Sequence, residues 1–316
     1  MRTIRVSVAC AATAFSLFLL ASAGEASTGP IGTTAQVDAA VKSSTSVKTI
    51  SSAVAATLKE FSSPASFDLT GPSSFSACDV YNSESLALSP KPCLLGNPHG
   101  TKTIVLIGDS NVGNWVPALN FGLEGTPYRL AVFGFSSCGL ANLPYTSSWG
   151  SLYKRCLQWH EHLPAAIRAL HPVAVLASSG AVGTNFSEST WVNGVKNVFV
   201  QSTKGLPATR RILLGTTPFF PESAVTCLTV HPNPQECSLT YSFGSGYYGS
   251  TLARDKEIAA ASNATLINTT KFFCHSDTCS PVIANILVYS DIDHVTIAYS
   301  SYISKVVTSA VLAALK

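Results

Sequence analysis

A chain of 316 residues, 46% of them hydrophobic, is long and apolar enough for one large domain or two small ones with a full core. Its 20 basic and 17 acidic residues leave a formal charge of +3 with no long run of either sign, which excludes the basic footprint of a nucleic-acid binder. Charged residues make up only 12% of the chain, about half the usual share, so the surface suits uncharged polar ligands better than ionic ones.

The first expected element is an export signal. Arg2 and Arg5 precede an apolar run from Val6 to Leu20, and Ala21-Ser22-Ala23 has the small residues a signal peptidase cuts, with Gly24-Glu25-Ala26 as a second cut. The run is shorter than the roughly 20 residues a spanning helix needs. Residues 1–26 are therefore expected to be a signal peptide, and the mature protein to be secreted or held at the cell surface. Residues 27–74 begin rich in Ala, Ser, Thr and Val, with Val37, Val41, Ile50, Val54, Leu58 and Phe61 near a helical stripe. Ser and Thr disfavour an isolated helix, so this stretch is expected to be a linker or a short helix laid against a main domain at 75–316.

Cysteine usage agrees with export. Cys10 leaves with the signal region, and the remaining eight are Cys78, Cys93, Cys138, Cys156, Cys227, Cys237, Cys274 and Cys279. An even set in an exported chain reads as disulfides. Sequence does not fix the connectivity, but the cysteines fall in neighbouring pairs, and Cys78 with Cys93, Cys138 with Cys156, Cys227 with Cys237 and Cys274 with Cys279 is the expectation. Cys274-His275 and Cys279 also bring soft ligands together. No second cluster has matching spacing, so no metal is expected.

Beyond Cys93 the chain alternates strand-like and helix-like blocks. Thr103 to Ile107, Tyr128 to Phe133, Val173 to Ala177 and Arg211 to Leu214 are short apolar runs of the kind found in buried parallel strands, with Ala264 to Ile267 as a fifth. Val112 to Gly122, Tyr153 to Leu170, Ser189 to Ser202 and Gly249 to Ser262 are the expected helices between them. This alternation implies an α/β domain, a parallel sheet covered on both faces. Ligands in such sheets bind beyond the carboxyl ends of the strands. Gly108-Asp109-Ser110 and Thr216-Thr217-Pro218 both follow strands and mark that end.

A serine between a strand and a helix serves either as a nucleophile, with its backbone N–H turned toward an oxyanion, or as a plain N-cap. A nucleophilic serine needs a base and an orienting acid. Of the seven histidines, His171 and His231 precede prolines, His99 lies in a Pro-His-Gly turn, and His160 and His162 flank Glu161 on an expected helix and are expected to face solvent. His275 lies between the last two cysteines. His294 stands in DIDH with Asp291 three residues upstream, just before an expected final helix from Thr296 to Leu315. That spacing lets one turn supply both base and orienter, and Asp293 is too close in sequence to be favoured as the orienter.

Gly108-Asp109-Ser110 early and Asp291-x-x-His294 late, around an alternating core, resemble the SGNH hydrolases, or GDSL-like esterases. The run CHSDTCSPVIANILVYSDIDHVTIAYSSYIS resembles the end of the SGNH domains attached to type-3 membrane acyltransferases. Cys274, Cys279, Pro281-Val282-Ile283, Leu287-Val288-Tyr289, Asp291, His294, Thr296 and Tyr299 follow in that order. Upstream, Cys78, Cys93, Trp115 and Ser137-Cys138 are similar too, so the likeness covers most of 75–316.

The resemblance implies a three-layer α/β sandwich with a mostly parallel central sheet, and acyl-ester chemistry on carbohydrate without cofactor. It makes Ser110 the nucleophile, His294 the base and Asp291 the orienter. The expected oxyanion donors are Ser110, Ser137, Ser179 and Gly180, and the expected substrate contacts are Asn111 and Trp115. The partners implied are an acylated glycan or sugar acceptor and, for transfer, a separate acyl-donor membrane protein. Two departures stand out. Asn111 occupies a position where this branch usually has histidine, and no Gly-x-Asn-Asp follows the third strand. The alternative reading is a glycan-binding module that keeps the fold without efficient chemistry.

Overall fold

The computed structural model describes residues 31–61, 79, 83–143, 151–180, 186–240 and 247–316. The expected signal peptide, Cys10 and Cys78 lie outside the described residues. The strands are β1 (Cys93–Gly96), β2 (Lys102–Gly108), β3 (Tyr128–Gly134), β4 (Ala174–Ser178), β5 (Arg210–Leu214), β6 (Leu239–Thr240) and β7 (Thr265–Ile267), followed by four two-residue strands. Six of them form the central sheet, in the order β1-β3-β2-β4-β5-β7. β2 pairs in parallel with β3 and β4, β5 pairs in parallel with β4 and β7, and β1 runs antiparallel along the edge at β3.

Successive strand residues point to opposite faces, and both faces of this sheet are covered. Ile104, Leu106, Leu130, Val132 and Leu176 face Trp115, Leu119, Tyr299, Ile303 and Val307. Val105, Ile107, Ala131, Phe133 and Val175 face Trp159, Leu163, Val195 and Phe199 on the other side. The result is a three-layer α/β sandwich. Helices Ser151–Ala169, Glu188–Ser202 and Tyr247–Ser262 form one outer layer, and helices Val116–Gly122, Ile297–Tyr302 and Ser304–Ala314 form the other.

Two expected helices are broken, each where side chains bond to another element. In place of one helix from Val112 there is a 3-10 turn, Ser110–Asn114, and then helix Val116–Gly122, whose Pro117 sits in the first turn where no N–H is needed. The expected single C-terminal helix is interrupted at Ile303. On either side of that break, Ser300 Oγ donates to the Asn114 carbonyl at 2.7 Å and Ser304 Oγ to the Ala118 carbonyl at 2.8 Å.

Gly122 makes this helix contact possible. A Cβ there would lie 1.8 Å from Thr308 Oγ1 and 2.7 Å from its Cβ. Alanine is normally the better helix former by about 1 kcal/mol, yet Gly122→Ala is expected to destabilise the fold by about 1–3 kcal/mol through overpacking. Denaturant unfolding checks this, and Thr308→Ala in the same chain should recover part of the loss.

The segment read as a linker or short helix holds two helices, Thr34–Ser44 and Ser52–Phe61. Thr33 and Gln36 form a capping box at the first. Val37 and Val41 enter the main core, and Val54 and Leu58 pack on Val225, Val282 and Leu287. The Gly32 N–H donates to the Tyr302 carbonyl at 2.9 Å, fastening this end of the chain to the other.

Disulfides join Cys138 to Cys156, Cys227 to Cys237 and Cys274 to Cys279. Cys93 is disulfide-bonded as well. The first of these ties the loop after β3 to helix Ser151–Ala169. The last closes the hairpin of β8 (Cys274–His275) and β9 (Thr278–Cys279), which pairs with β6, while β10 (Val282–Ile283) and β11 (Ile286–Leu287) form a separate hairpin. Among the described residues no helix is long and apolar enough to cross a membrane.

Candidate active site

The turn that carries Ser110 begins where β2 ends. Asp109, not Ser110, is the N-cap of the 3-10 turn, its side chain accepting the Asn111 N–H at 2.9 Å. Ser110 is thereby free of the capping role, and it is partly exposed among buried neighbours. Gly108 supplies the close approach this turn needs. Its φ is +153°, and a Cβ there would lie 1.7 Å from the Ser178 carbonyl oxygen.

His294 arrives on the loop between Tyr289 and Val295, which pair across an isolated antiparallel bridge. Asp291 divides its two oxygens between two tasks. Oδ1 accepts the N–H groups of Asp293 and His294 at 3.0 and 2.8 Å, shaping the loop, while Oδ2 lies 2.7 Å from His294 Nδ1. The other ring nitrogen, Nε2, lies 2.8 Å from Ser110 Oγ. Serine, imidazole and carboxylate thus form one continuous chain of hydrogen bonds, although serine and histidine are 184 positions apart.

A network that sequence reading missed locks the two loops together. The Asn114 amide nitrogen donates to Asn111 Oδ1 at 2.9 Å and to the Asp293 carbonyl at 3.1 Å, and lies 3.3 Å from Thr217 Oγ1. Asn114 Oδ1 accepts the Val295 N–H at 2.8 Å. Thr217 in turn donates to Asn111 Oδ1 at 3.1 Å. The loop after β5 adds two main-chain bonds, from the Phe220 N–H to the Ile292 carbonyl at 2.7 Å and from the Ala224 N–H to the Asp291 carbonyl at 3.2 Å.

Charge is concentrated here. Burial would push the His294 imidazole down, but the hydrogen bond to Asp291 and the charges of Asp291, Asp293 and Asp109 outweigh it and raise it to about 9. For Asp291 burial acts upward, and the hydrogen bond and charge of His294 overcome it, leaving the carboxyl below its ordinary value. Asp109 and Asp293 are both raised, chiefly by burial.

A family model described as the SGNH domain fused to AT3 domains matches residues 77–309. The chain belongs to the SGNH domain family. The periplasmic domain of a lipopolysaccharide acetyltransferase from Salmonella ser. Paratyphi A shares the fold, at TM-score 0.56 and 16% identity over 67% of this chain and 85% of that one. A carbohydrate acetylesterase from Sinorhizobium meliloti aligns at TM-score 0.43 and 14% identity over 67% of this chain and 99% of that one. None of the curated proteins matches the chain.

Several residues expected to face a ligand in this SGNH domain are otherwise engaged. Trp115 is fully buried, packs edge-on against Phe273 and donates its indole N–H to Ser178 Oγ at 2.8 Å, so it is core and not a substrate platform. Asn111 is buried too, with its side chain spent on Asp293, Asn114 and Thr217. The Ser179 hydroxyl donates to Asp109 Oδ2 at 2.5 Å and the Gly180 N–H to both Asp109 oxygens at 3.0 and 3.1 Å. Both are committed to the capping carboxylate and not to an oxyanion. Ser137 is exposed, with a left-handed φ of 67°, in the loop leaving β3. That loop starts beside the nucleophile turn, because Gly134 is registered with Gly108 and the Phe135 N–H donates to the Gly108 carbonyl at 3.0 Å.

His160 is the other correction. It is buried, not solvent-facing, with Nε2 2.9 Å from the Gly139 carbonyl, and burial pushes its imidazole down to about 4. Its nearest metal-type donors, Cys138 and Cys156, are oxidised to a disulfide and offer no thiolate. Cys274 and Cys279, the other soft pair, are likewise oxidised.

Proposed function

We propose that this SGNH domain is an esterase or O-acyltransferase that removes or transfers acyl groups, acetyl foremost, on hydroxyls of cell-surface carbohydrate. The observation that carries this reading is the unbroken relay from Ser110 Oγ through His294 to Asp291. Ser110 attacks the acyl carbonyl carbon while His294 Nε2 takes the hydroxyl proton. The Ser110 N–H, with Ser137 as the remaining candidate for a second donor, stabilises the oxyanion. Collapse of the tetrahedral intermediate expels the sugar oxygen, which receives the proton from His294, and leaves acyl-Ser110. Water or a second sugar hydroxyl then attacks the acyl group, with His294 again taking the proton. Asp291 holds the imidazole in the tautomer that presents Nε2 to the serine.

Disulfides within the domain fit an oxidising compartment outside the cytoplasm. Transfer would require a separate membrane protein as acyl donor, and hydrolysis would require only an acylated glycan. Hydrolysis of a chromogenic acetyl ester by the wild type and by Ser110→Ala tests the reading. Turnover that depends on Ser110 supports it, and specific glycan binding with no turnover by either protein would overturn it in favour of a binding module. Sugar acceptors added to the same assay separate transfer from hydrolysis.

The pH profile follows from the electrostatics. The base must be neutral to accept the serine proton, and an imidazole raised to about 9 is mostly protonated at neutral pH. Log kcat/KM is therefore expected to climb with unit slope from neutral pH and to level off near the His294 pKa. Initial rates across a buffer series check this, and a plateau already reached at pH 7 would count against it.

A further inference from the structure

We propose that Asp293 is a second orienting carboxylate for His294, and that Asn111 is the residue that aims it. This inference rests on the reading of His294 as the base. The ring nitrogen that faces Asp291 at 2.7 Å also lies 3.3 Å from Asp293 Oδ1. Asp293 Oδ2 accepts from the Asn111 amide nitrogen at 3.2 Å. Asn111 is bonded directly to Ser110, so serine, asparagine, second carboxylate and imidazole close a ring that returns to the serine.

Asp293 is the drier of the two acids. Its side chain is 13% exposed, against 40% for Asp291. A charge acts more strongly where water is excluded, so Asp293 adds its charge to the larger contribution of Asp291 despite the longer contact. Asp291 also spends one oxygen on the loop backbone and has only the other for the ring. The Asp293 carbonyl is pinned separately by the Asn114 amide, which fixes the backbone from which its carboxylate reaches.

An asparagine amide is a neutral donor at every pH, so its bond to Asp293 does not depend on titration, whereas histidine at this position would gain and lose charge beside the base. Gly180 leaves the room. A Cβ there would lie 2.6 Å from Asn111 Nδ2 and 3.5 Å from Asp293 Oδ2. The charged groups facing the imidazole are Asp291 and Asp293 from its own loop and Asp109 from the nucleophile turn, and the loop after β5 contributes the uncharged Thr217.

The test compares Asp291→Asn, Asp293→Asn and the double variant with the wild type, by kcat/KM against pH for an acetyl ester and by NMR titration of the His294 ring. Asp293→Asn is expected to lower the plateau about tenfold and to move the His294 titration downward, since one of the charges favouring the imidazolium is gone. Asp291→Asn should stay at least about tenfold more active than the double variant. The double variant should fall about 10⁴-fold below the wild type, the loss seen when a catalytic histidine loses its only acid. A titration and profile unchanged in Asp293→Asn, with a double variant no worse than Asp291→Asn, would overturn the assignment. Thermal melting checks folding, with Asp293→Ser as the substitute if the asparagine variant does not fold. If even the wild type shows no Ser110-dependent turnover, the esterase reading fails, and the titration alone still decides the role of Asp293.

Discussion

Replacing Ser110 with alanine is expected to lower kcat for an acetyl ester about 10⁵- to 10⁶-fold, and adding His294→Ala should lower it hardly further. The two side chains are 2.8 Å apart and act as one device. Without the hydroxyl, the imidazole has no proton to take. Without the imidazole, the hydroxyl is a poor nucleophile at neutral pH. The residual rate measures what the oxyanion donors and substrate binding achieve without a covalent intermediate. KM should change little, because neither side chain carries binding energy for the sugar. Single-turnover and steady-state assays of the two single variants and the double variant decide this. Losses that multiply would mean that serine and histidine act independently, contrary to the relay.

Asn114→Ala is expected to affect both stability and rate. Asn114 is fully buried, and its amide bridges the nucleophile turn, the base loop and the loop after β5. Truncation leaves the Val295 N–H and the Asp293 carbonyl each without a partner they now have. A buried polar group stranded in this way costs about 1–3 kcal/mol, and a small cavity is added. A loss of about 3–5 kcal/mol is expected, a large part of the roughly 5–15 kcal/mol that holds a typical domain together. The base loop would also lose its register against Ser110, and a displacement of about 1 Å at a reacting pair is worth about 100-fold in rate. Denaturant unfolding and kcat measured well below the midpoint separate the two effects. If stability falls while kcat holds, Asn114 is a core residue without a positioning role.

The five parallel strands were legible because they are short apolar runs set off by helix-forming blocks, and each expected run lies within a residue of an observed strand, whereas the antiparallel edge strand β1 was not among them. The grouping of Ser110, Asp291 and His294 was legible because two local motifs announce them. The network around them was not, since Asn111 meets Asp293 across 182 positions and Asn114 meets Thr217 across 103, and such bonds leave no periodic trace. Thr217 was marked only by its place after a strand. Trp115 misled because the resemblance placed it beside the serine as a substrate contact, whereas its ring fills the core and its N–H finds Ser178. His160 misled in the opposite way. Cys156, Trp159, His160, Leu163 and Ile167 keep helical spacing and are all buried, so periodicity was the signal, passed over in favour of polarity, that would have turned the histidine inward.

The bond between Gly32 and Tyr302 and the pairing of Ser110 with His294 have a temporal consequence. Contacts between distant parts of a chain form late, because long loops must close before anything rewards the closure. The ribosome supplies Ser110 well before His294, and the complete chain of hydrogen bonds exists only once the segment carrying His294 has been made and docked. An unfolded chain therefore holds Ser110 and His294 apart, and only the docked fold brings them within 2.8 Å.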